Sequence, residues 1–214
     1  MRYPLGRKVE HDDRSFNYPA ELASDLRTVR HRRYGPILDQ GNVGSCTGNA
    51  LAGALNTAPL HKPRRILHEP DALALYELAT VLDGYPGTYP PDDTGSSGLA
   101  VCKAGVQKGY LSSYNHAFGL DQTLAALVLG PVIVGVHWHE AMFTPDSSGF
   151  VHPDGNIAGG HEFELVGLNV TSKYVTAANS WGSSWGLSGF FKISFDDLGS
   201  LLADQGDCTV PVGA

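Results

Sequence analysis

A single cysteine, Cys46, stands where a polar, glycine-rich stretch turns apolar, in the segment QGNVGSCTGNA. Ser45 precedes it and is a residue type that often caps a helix. A cysteine attacks as the thiolate, and the free N–H groups and positive dipole end of a helix favour that anion. The position predicts a nucleophile whose own N–H can also point at an oxyanion. The alternative is an inert small residue at the start of a helix.

A nucleophilic cysteine needs a base, and His161 in the segment AGGHEFELVG is the candidate among nine histidines. Gly159 and Gly160 before it leave room for a substrate backbone to approach. Asn179 carries an amide oxygen that can hold the imidazole in one tautomer. Trp181, two residues later, can shield that hydrogen bond from water. Without such a partner, His161 would be interpreted as a hydrogen-bonded histidine at the start of a strand.

Helices are expected to position the cysteine, because helical patterns dominate the chain up to about residue 130. Four helices are predicted, over residues 45–58, 69–84, 99–109 and 120–130. Pro70 and Gly84 mark the two ends of the second helix. One helical turn is predicted near residues 20–27.

Strands are expected to position the histidine and the asparagine. The segments VIVGVHWH, HEFELVGLNV, KYVTAANSW and GFFKISF are β-branched or alternating, as strands are. In the second of them Phe163 and Leu165 share one face, and Glu162 and Glu164 share the other. Helices followed by strands indicate an α+β domain with two lobes.

Together these residues resemble the papain family of cysteine peptidases. The family motif of Gln-Gly, a short spacer and Gly-Ser-Cys is matched by QGNVGSC, with six positions from Gln40 to Cys46. Its Gly-His before an apolar strand is matched by GGHEFELVG, and its Asn-Ser-Trp-Gly motif by NSWGSSWGLSGFF. The three motifs occur in the family's order between residues 40 and 193.

The resemblance implies catalytic roles and a fold. Cys46 would be the nucleophile, paired with His161 as thiolate and imidazolium, and Asn179 would orient the imidazole. The Gln40 side-chain amide and the Cys46 N–H would form the oxyanion hole. The implied activity is peptide-bond hydrolysis through an acyl-enzyme. The implied fold has a helical left lobe, a β-barrel-like right lobe and the active cleft between them.

The resemblance also implies where substrate binds. A glycine-containing segment before a left-lobe helix pairs with the substrate backbone in the family, and here it falls on residues 95–97. Glu162, next to the histidine, would border the second substrate subsite. There it either selects a basic side chain or pairs with a neighbouring arginine, and pairing is the preferred interpretation. The predicted substrate-binding residues are Gly95, Ser96, Ser97, Gly160, Glu162 and Trp181.

Two departures from the better-known members of the family are informative. Val43 replaces a cysteine that forms a disulfide there, and Thr47 replaces a tryptophan. The motif Gly-Ser-Cys-Thr resembles a bacterial and viral branch that commonly lacks disulfides and the long inhibitory propeptide. About forty residues precede Gln40, too few for the usual prodomain. We therefore predict one domain over residues 1–214, consisting of an arm (1–35), a mainly helical lobe (about 36–115) and a mainly β lobe (about 116–214).

Charge and hydropathy limit the classes of partner. A net charge of −7 over 214 residues argues against nucleic acid. The basic stretch RTVRHRR is interpreted as a solvated face rather than a nucleic-acid arm. The longest apolar run, LAALVLGPVIVGV, is too short for a bilayer, and the N-terminus lacks the apolar core of a signal peptide. We expect a soluble monomer, inside a cell or a virus, that takes a peptide or protein substrate and binds no membrane.

Cysteine and histidine usage predicts neither a disulfide framework nor a cofactor. Three cysteines are too few and odd in number for a framework. Cys102 is expected in the core, and a disulfide between Cys102 and Cys208 is the less favoured possibility. His137 and His139 share a strand face, but no third metal ligand follows at a convincing spacing.

Two other functions remain open at this point. An enzyme with the same Cys–His fold could act on cell-wall peptides or as a transamidase. A catalytically silent binding module could keep the fold, although the intact set of Gln40, Cys46, His161 and Asn179 argues against it.

Overall fold

The computed structural model describes residues 3–63 and 65–214. Within those residues the chain forms five α-helices and seven β-strands, which confirms the α+β prediction. The helices are α1 (Cys46–Leu55), α2 (Glu69–Leu82), α3 (Gly98–Gln107), α4 (Gly119–Leu129) and α5 (Phe195–Ala203). The strands are β1 (Val29–Arg30), β2 (Leu111–His116), β3 (Val132–His139), β4 (Ile157–Asn169), β5 (Tyr174–Ala178), β6 (Phe190–Ser194) and β7 (Asp207–Gly213).

The strands form one antiparallel sheet in the order β2-β7-β3-β4-β5-β6. The short strand β1 pairs with β4 beyond the point where β3 begins. In the centre of the sheet, Gly135 of β3 lies opposite Glu162 of β4 on one side and opposite Asp207 of β7 on the other. This register places two acidic residues from distant parts of the chain at the same level.

Local sequence signals explain where several helices begin. Pro70 lies in the first turn of α2, and the Asp71 carboxylate accepts a hydrogen bond of 2.9 Å from the His68 N–H. The Ser97 hydroxyl caps α3 by accepting from the Ala100 N–H at 2.9 Å. Helix α1 begins differently, because the Ser45 side chain makes no capping hydrogen bond.

Two groups of buried apolar side chains form the core. One surrounds the helices, with Leu51 of α1 and Leu75 of α2 fully buried. The other lies on the strands and includes Trp138, Phe163 and Phe191, which are among the largest fully buried side chains. Helix α1 is buried along its whole length, so the residue at its N-terminus is held by packing on every side.

Several sequence predictions differ from the structure. Residues 20–27 form no helical turn, because the Ala20 and Ala23 N–H groups bond to carbonyls of residues 116 and 125 instead. Helix α1 ends at Leu55, three residues before the predicted end. The side-chain amide of the next residue, Asn56, donates to the Leu67 carbonyl and accepts from the Leu67 N–H. Helix α5, β2 and β7 have no counterpart in the prediction.

The three cysteines all lie within the described residues, and each is buried and unpaired. The structure therefore contradicts a disulfide between Cys102 and Cys208. Within residues 3–63 and 65–214, the helices are too short or too polar to cross a bilayer.

Candidate active site

The Cys46 thiol lies at the N-terminus of α1 and is fully buried. Its sulfur receives backbone hydrogen bonds from Glu162, Gly6 and Thr47, which favour the thiolate. Burial outweighs them and raises the pKa of Cys46 to about 12. Because Glu162 is the neighbour of His161 in β4, this contact brings the predicted nucleophile and base into one site.

The His161 ring is held by the residue predicted to hold it. His161 Nε2 and Asn179 Oδ1 lie 2.8 Å apart, so the amide oxygen accepts and the proton is assigned to Nε2. Asn179 Oδ1 also accepts from the Ser180 N–H at 2.8 Å. Among the described residues, His161 Nδ1 has no hydrogen-bond partner. The lone pair needed by a base is therefore on the nitrogen that the asparagine does not use.

Trp181 covers the histidine. Its ring stacks on the imidazole with centroids 4.6 Å apart and planes inclined by 27°. Both side chains are almost fully buried, and burial lowers the pKa of His161 to about 4, although the bond to Asn179 opposes that change. His161 also lies inside β4 rather than at its start, since the strand begins four residues earlier, at Ile157.

Hydrogen bonds at both the oxygen and the nitrogen hold the Gln40 side-chain amide. The oxygen accepts from Ser180 Oγ at 2.6 Å, and the nitrogen donates to the Val43 carbonyl at 2.7 Å. The same nitrogen also reaches the Pro4 carbonyl at 3.4 Å. One N–H of Gln40 is thus directed at a carbonyl oxygen inside the cleft, as an oxyanion donor would be.

The beginning of the chain lies in the site. We call residues 3–10 the cleft segment. The Gly6 carbonyl accepts from the Ser96 N–H at 2.8 Å, and the Lys8 N–H donates to the Ser96 carbonyl at 2.7 Å. The Arg7 N–H donates to the Gly160 carbonyl at 2.9 Å. Arg7 and Ser96 form a parallel bridge, so the cleft segment occupies the backbone positions predicted for a substrate.

Two glycines make this close approach possible. A Cβ atom built on Gly95 would lie 2.2 Å from the Gly6 oxygen, and one on Gly160 would lie 2.2 Å from the Arg7 oxygen. Gly95 also has a φ of +74°, which other residues rarely adopt. At the far end of the segment, Tyr3 stacks on Trp181 with centroids 4.6 Å apart.

Other predicted substrate residues have different contacts. Ser97 does not pair with the cleft segment through its backbone, since its hydroxyl caps α3 and donates to the Glu10 carboxylate. Glu162 is fully buried and lies near an arginine, Arg7, but the Arg7 guanidinium pairs with Asp207 instead. The Arg7 charge nevertheless opposes the rise in the pKa of Glu162, so the pairing of Glu162 with a neighbouring arginine stays a prediction.

Burial favours charge states of Cys46 and His161 that differ from those implied by the family resemblance. The resemblance implies a thiolate and an imidazolium. In this structure both groups are fully buried, so burial favours the uncharged thiol and the neutral imidazole.

Sequence reasoning missed Gly6, Arg7 and Asp207. Arg7 lies in a segment with no periodic pattern, and Asp207 lies in a strand that was not predicted.

The histidines of the HWH segment contact separate partners, since His137 Nδ1 contacts the Asp204 carboxylate at 2.8 Å and His139 Nδ1 contacts the Gly155 carbonyl at 3.1 Å. Over the described part of the chain, the structure has no group of three or more His, Cys, Asp or Glu side chains suited to hold a metal ion.

Comparison with known proteins gives consistent matches. Residues 89–208 match the family described as papain family cysteine protease. A gut-specific cysteine proteinase of Caenorhabditis elegans is 30% identical over 201 residues, covering 81% of this chain and 58% of that protein. An uncharacterized peptidase C1-like protein of Acanthamoeba polyphaga mimivirus is 27% identical, covering 74% of this chain and 64% of that protein. The chain thus spans about three-fifths of the length of these curated relatives.

Among solved structures, xylellain, a cysteine protease from Xylella fastidiosa, superposes with a TM-score of 0.77 at 19% identity. The match covers 100% of this chain and 98% of that one. At this identity the likeness shows a shared fold, and it confirms the two-lobed fold expected from the sequence motifs.

Proposed function

Because this chain belongs to the papain family of cysteine proteases, we propose that it is a cysteine endopeptidase. The observation that carries the proposal is the 2.8 Å contact between His161 Nε2 and Asn179 Oδ1. It leaves Nδ1 as the base in the site that holds the Cys46 thiol. In the proposed mechanism His161 takes the thiol proton, Cys46 attacks the peptide carbonyl, and the leaving amine receives the proton from His161. Water then hydrolyses the acyl-enzyme.

Gln40 is proposed to bind the oxyanion together with the Cys46 N–H. Its amide is oriented by Ser180 and Val43 before any substrate arrives, so little reorganisation is needed as charge develops. Trp181 keeps water from the His161–Asn179 bond. In the proposed uncovered site, the backbone donors to Cys46 would favour a thiolate paired with a His161 imidazolium.

We further propose that the protein works as a monomer on peptide or protein substrates, without nucleic acid, membrane or cofactor, inside a cell or a virus. The net charge of −7 supports the exclusion of nucleic acid. The two buried clusters support a division into an arm (residues 1–35), a helical lobe (about 36–115) and a β lobe (about 116–214).

A peptidyl epoxide that alkylates thiols in peptide-binding clefts tests the proposal. We expect mass spectrometry to find one label, on Cys46, and none on the Cys46→Ala variant. Cys102→Ala is the matched control, since Cys102 is buried in the helical core, and it should be labelled like the wild type. Labelling that persists in Cys46→Ala, or no labelling of Cys46 even in folded Gly6→Ala, in which a Cβ would collide with the Gly44 backbone and displace the cleft segment, would contradict the proposal and favour a silent binding module.

Turnover of a dipeptidyl coumarin amide separates the roles of two residues. Cys46→Ala should reduce kcat to background, whereas Asn179→Ala should reduce it by about 10²-fold, because the nucleophile remains and only the orientation of the base is lost. Equal losses would contradict an orienting role for Asn179.

A further inference from the structure

Hydrogen bonds connect the loop before the thiol to residues 95–97, which we call the pairing segment. The Gly44 N–H donates to Asp93 Oδ2 at 2.8 Å. The Tyr76 hydroxyl donates to Oδ1 of the same carboxylate at 2.5 Å. The Tyr76 oxygen in turn accepts from the Gly95 N–H at 2.9 Å. Asp93 and Tyr76 therefore bridge two backbone segments that are separate in the sequence.

The bridge continues through one peptide group to the Gln40 amide. The Gly44 N–H and the Val43 carbonyl belong to the same peptide group. Its carbonyl accepts from Gln40 Nε2 at 2.7 Å, while its N–H donates to the Asp93 carboxylate. A carboxylate at the N–H end polarises the peptide group and strengthens the hydrogen bond at the carbonyl end. Asp93 thus supports the orientation of Gln40 through the peptide group between them.

Helix packing fixes the tyrosine in the middle of the bridge. Tyr76 lies on α2 and is fully buried. A Cβ on Gly48 of α1 would lie 2.1 Å from the Ala72 carbonyl oxygen and 3.0 Å from Tyr76 Cβ, so the two helices are in close contact here. Burial, followed by the hydrogen bond to Asp93, raises the pKa of Tyr76 well above its usual range. The phenol therefore keeps the proton that it donates.

The bridge acts on a loop that no disulfide holds, because each of the three cysteines, all within the described residues, is unpaired. A Cβ on Gly44 would lie 3.0 Å from Asp93 Oδ1 and 3.3 Å from Gly6 Cα, so this part of the loop lies between Asp93 and the cleft segment. Asp93 itself is exposed at the surface. The carboxylate is thus one of the contacts that fix where Gly44 lies, and it can be replaced without opening a cavity in the core.

We propose that Asp93 and Tyr76 are positioning residues that set the distance from the pairing segment to the oxyanion donors. Those donors are the Gln40 amide and the Cys46 N–H. The inference rests on the proposed peptidase function and adds to it two residues that act through others. A peptide paired with Ser96 then brings its carbonyl to the donors without further adjustment. Misplacement of a bound carbonyl by about 1 Å can cost about 10²-fold in rate.

The bridge matters for substrates that are long enough to use both of its ends. Pairing with Ser96 places the carbonyl of an extended peptide, so the reaction of that peptide depends on the distance from Ser96 to the oxyanion donors. A small ester that makes no backbone pairing can adjust its position at the donors freely. A general loss of stability or of thiol reactivity would slow both substrates alike. The ratio of the two rates therefore separates positioning from a merely structural role.

Two p-nitrophenyl esters measure this ratio on the full chain. The N-acetyl-Ala-Gly ester is long enough to pair with Ser96, whereas p-nitrophenyl acetate is not. Both need an open cleft, so the fraction of open molecules cancels in the ratio of their kcat/KM values. We expect Asp93→Ala and Tyr76→Phe each to lower that ratio about tenfold, after subtraction of the hydrolysis seen with Cys46→Ala.

Neighbouring residues supply matched controls. Asp92→Ala removes the adjacent exposed carboxylate. Tyr89→Phe removes the hydroxyl of the ring next to Tyr76, with centroids 5.4 Å apart. Both controls should leave the ratio unchanged. A wild-type ratio in Asp93→Ala or in Tyr76→Phe, including equal slowing of the two esters, overturns the positioning role and leaves the peptidase function standing.

If no ester is cleaved and the epoxide labels Cys46 in neither the wild type nor Gly6→Ala, the proposed function is wrong instead. Amide hydrogen exchange then decides whether the bridge exists. In Tyr76→Phe the Gly44 N–H should exchange about threefold faster or more, because the carboxylate that accepts from it has lost its second donor. Asp93→Ala should likewise speed exchange of the N–H that bonds to Tyr76. Effects confined to each residue's own backbone partner overturn the bridge.

Discussion

At the scale of single residues, hydrogen bonds hold the histidine and the glutamine of the proposed active site, and burial favours the uncharged thiol and imidazole. His161 has its orienting partner, and Gln40 has both ends of its amide fixed. A working site must be open to water and substrate, whereas Cys46 and His161 are fully buried here. Water is excluded from Cys46 and His161, and each pKa is displaced in the direction that removes charge.

The lowered pKa of His161 predicts that the stability of the protein depends on pH. Its pKa in the folded protein is about 4, below the ordinary value of 6.5. The unfolded chain therefore binds more protons, and stability present above pH 6.5 is lost as the pH falls toward 4. Relative to His161→Gln, we expect the wild-type free energy of unfolding to fall by about 3 kcal/mol between pH 7 and pH 4. Urea unfolding at several pH values measures this, and parallel curves for the two proteins would contradict it.

The proposed catalytic residues were predictable because each lies in a short motif that resembles a motif of the papain family. The proximity of Glu162 and Asp207 was not predictable, since it depends on a register that places both opposite Gly135 from separate strands. The alternation of β4 placed Glu162 and Glu164 on one face correctly. It did not show that this face is buried, because alternation records only which side chains share a face.

At the scale of elements, the cleft segment is held by backbone contacts so close that side chains would not fit. A Cβ on Gly6 would lie 1.8 Å from the Gly44 oxygen and 2.5 Å from the Gly44 carbon. These are backbone atoms next to the start of α1, so they cannot turn aside as a flexible side chain would.

Gly6→Ala should therefore displace the cleft segment. We expect iodoacetamide to alkylate Cys46 at pH 8 at least about tenfold faster than in the wild type, because restored solvent lowers the pKa of the thiol. Gly84→Ala is the matched control, since a Cβ there meets no atom within 4 Å. Equal alkylation rates in wild type and Gly6→Ala would show that the segment does not restrict access to the thiol.

At the scale of the whole molecule, the part of the chain before α1 contacts the sheet through strand pairing and contacts the cleft through backbone hydrogen bonds. Strand β1 pairs with β4, and three residues later Arg33 forms an ion pair with Glu164 of the same strand. The side chains of this pair are 9% and 1% exposed. Burial raises the pKa of Glu164, and the Arg33 charge opposes that rise.

Breaking this pair should destabilise the protein strongly. Arg33→Met leaves a buried carboxylate without its cation, and we expect the free energy of unfolding to fall by about 3–5 kcal/mol. The double variant Arg33→Met and Glu164→Leu should recover most of the loss, because no buried charge remains. Denaturant titrations of the two single variants and the double variant measure the coupling, and additive losses would contradict it.

The parallel course of residues 6–8 against Ser96 makes the cleft segment a tethered competitor. Because it belongs to the same chain, its local concentration at the cleft is on the order of millimolar or higher, however dilute the protein is. A peptide substrate of the proposed peptidase would therefore bind with an affinity reduced in proportion to the fraction of molecules whose cleft is open. In the proposed peptidase, exchanges in residues 3–10 would then adjust the rate of proteolysis over a wide range while Cys46, His161 and Asn179 stay unchanged.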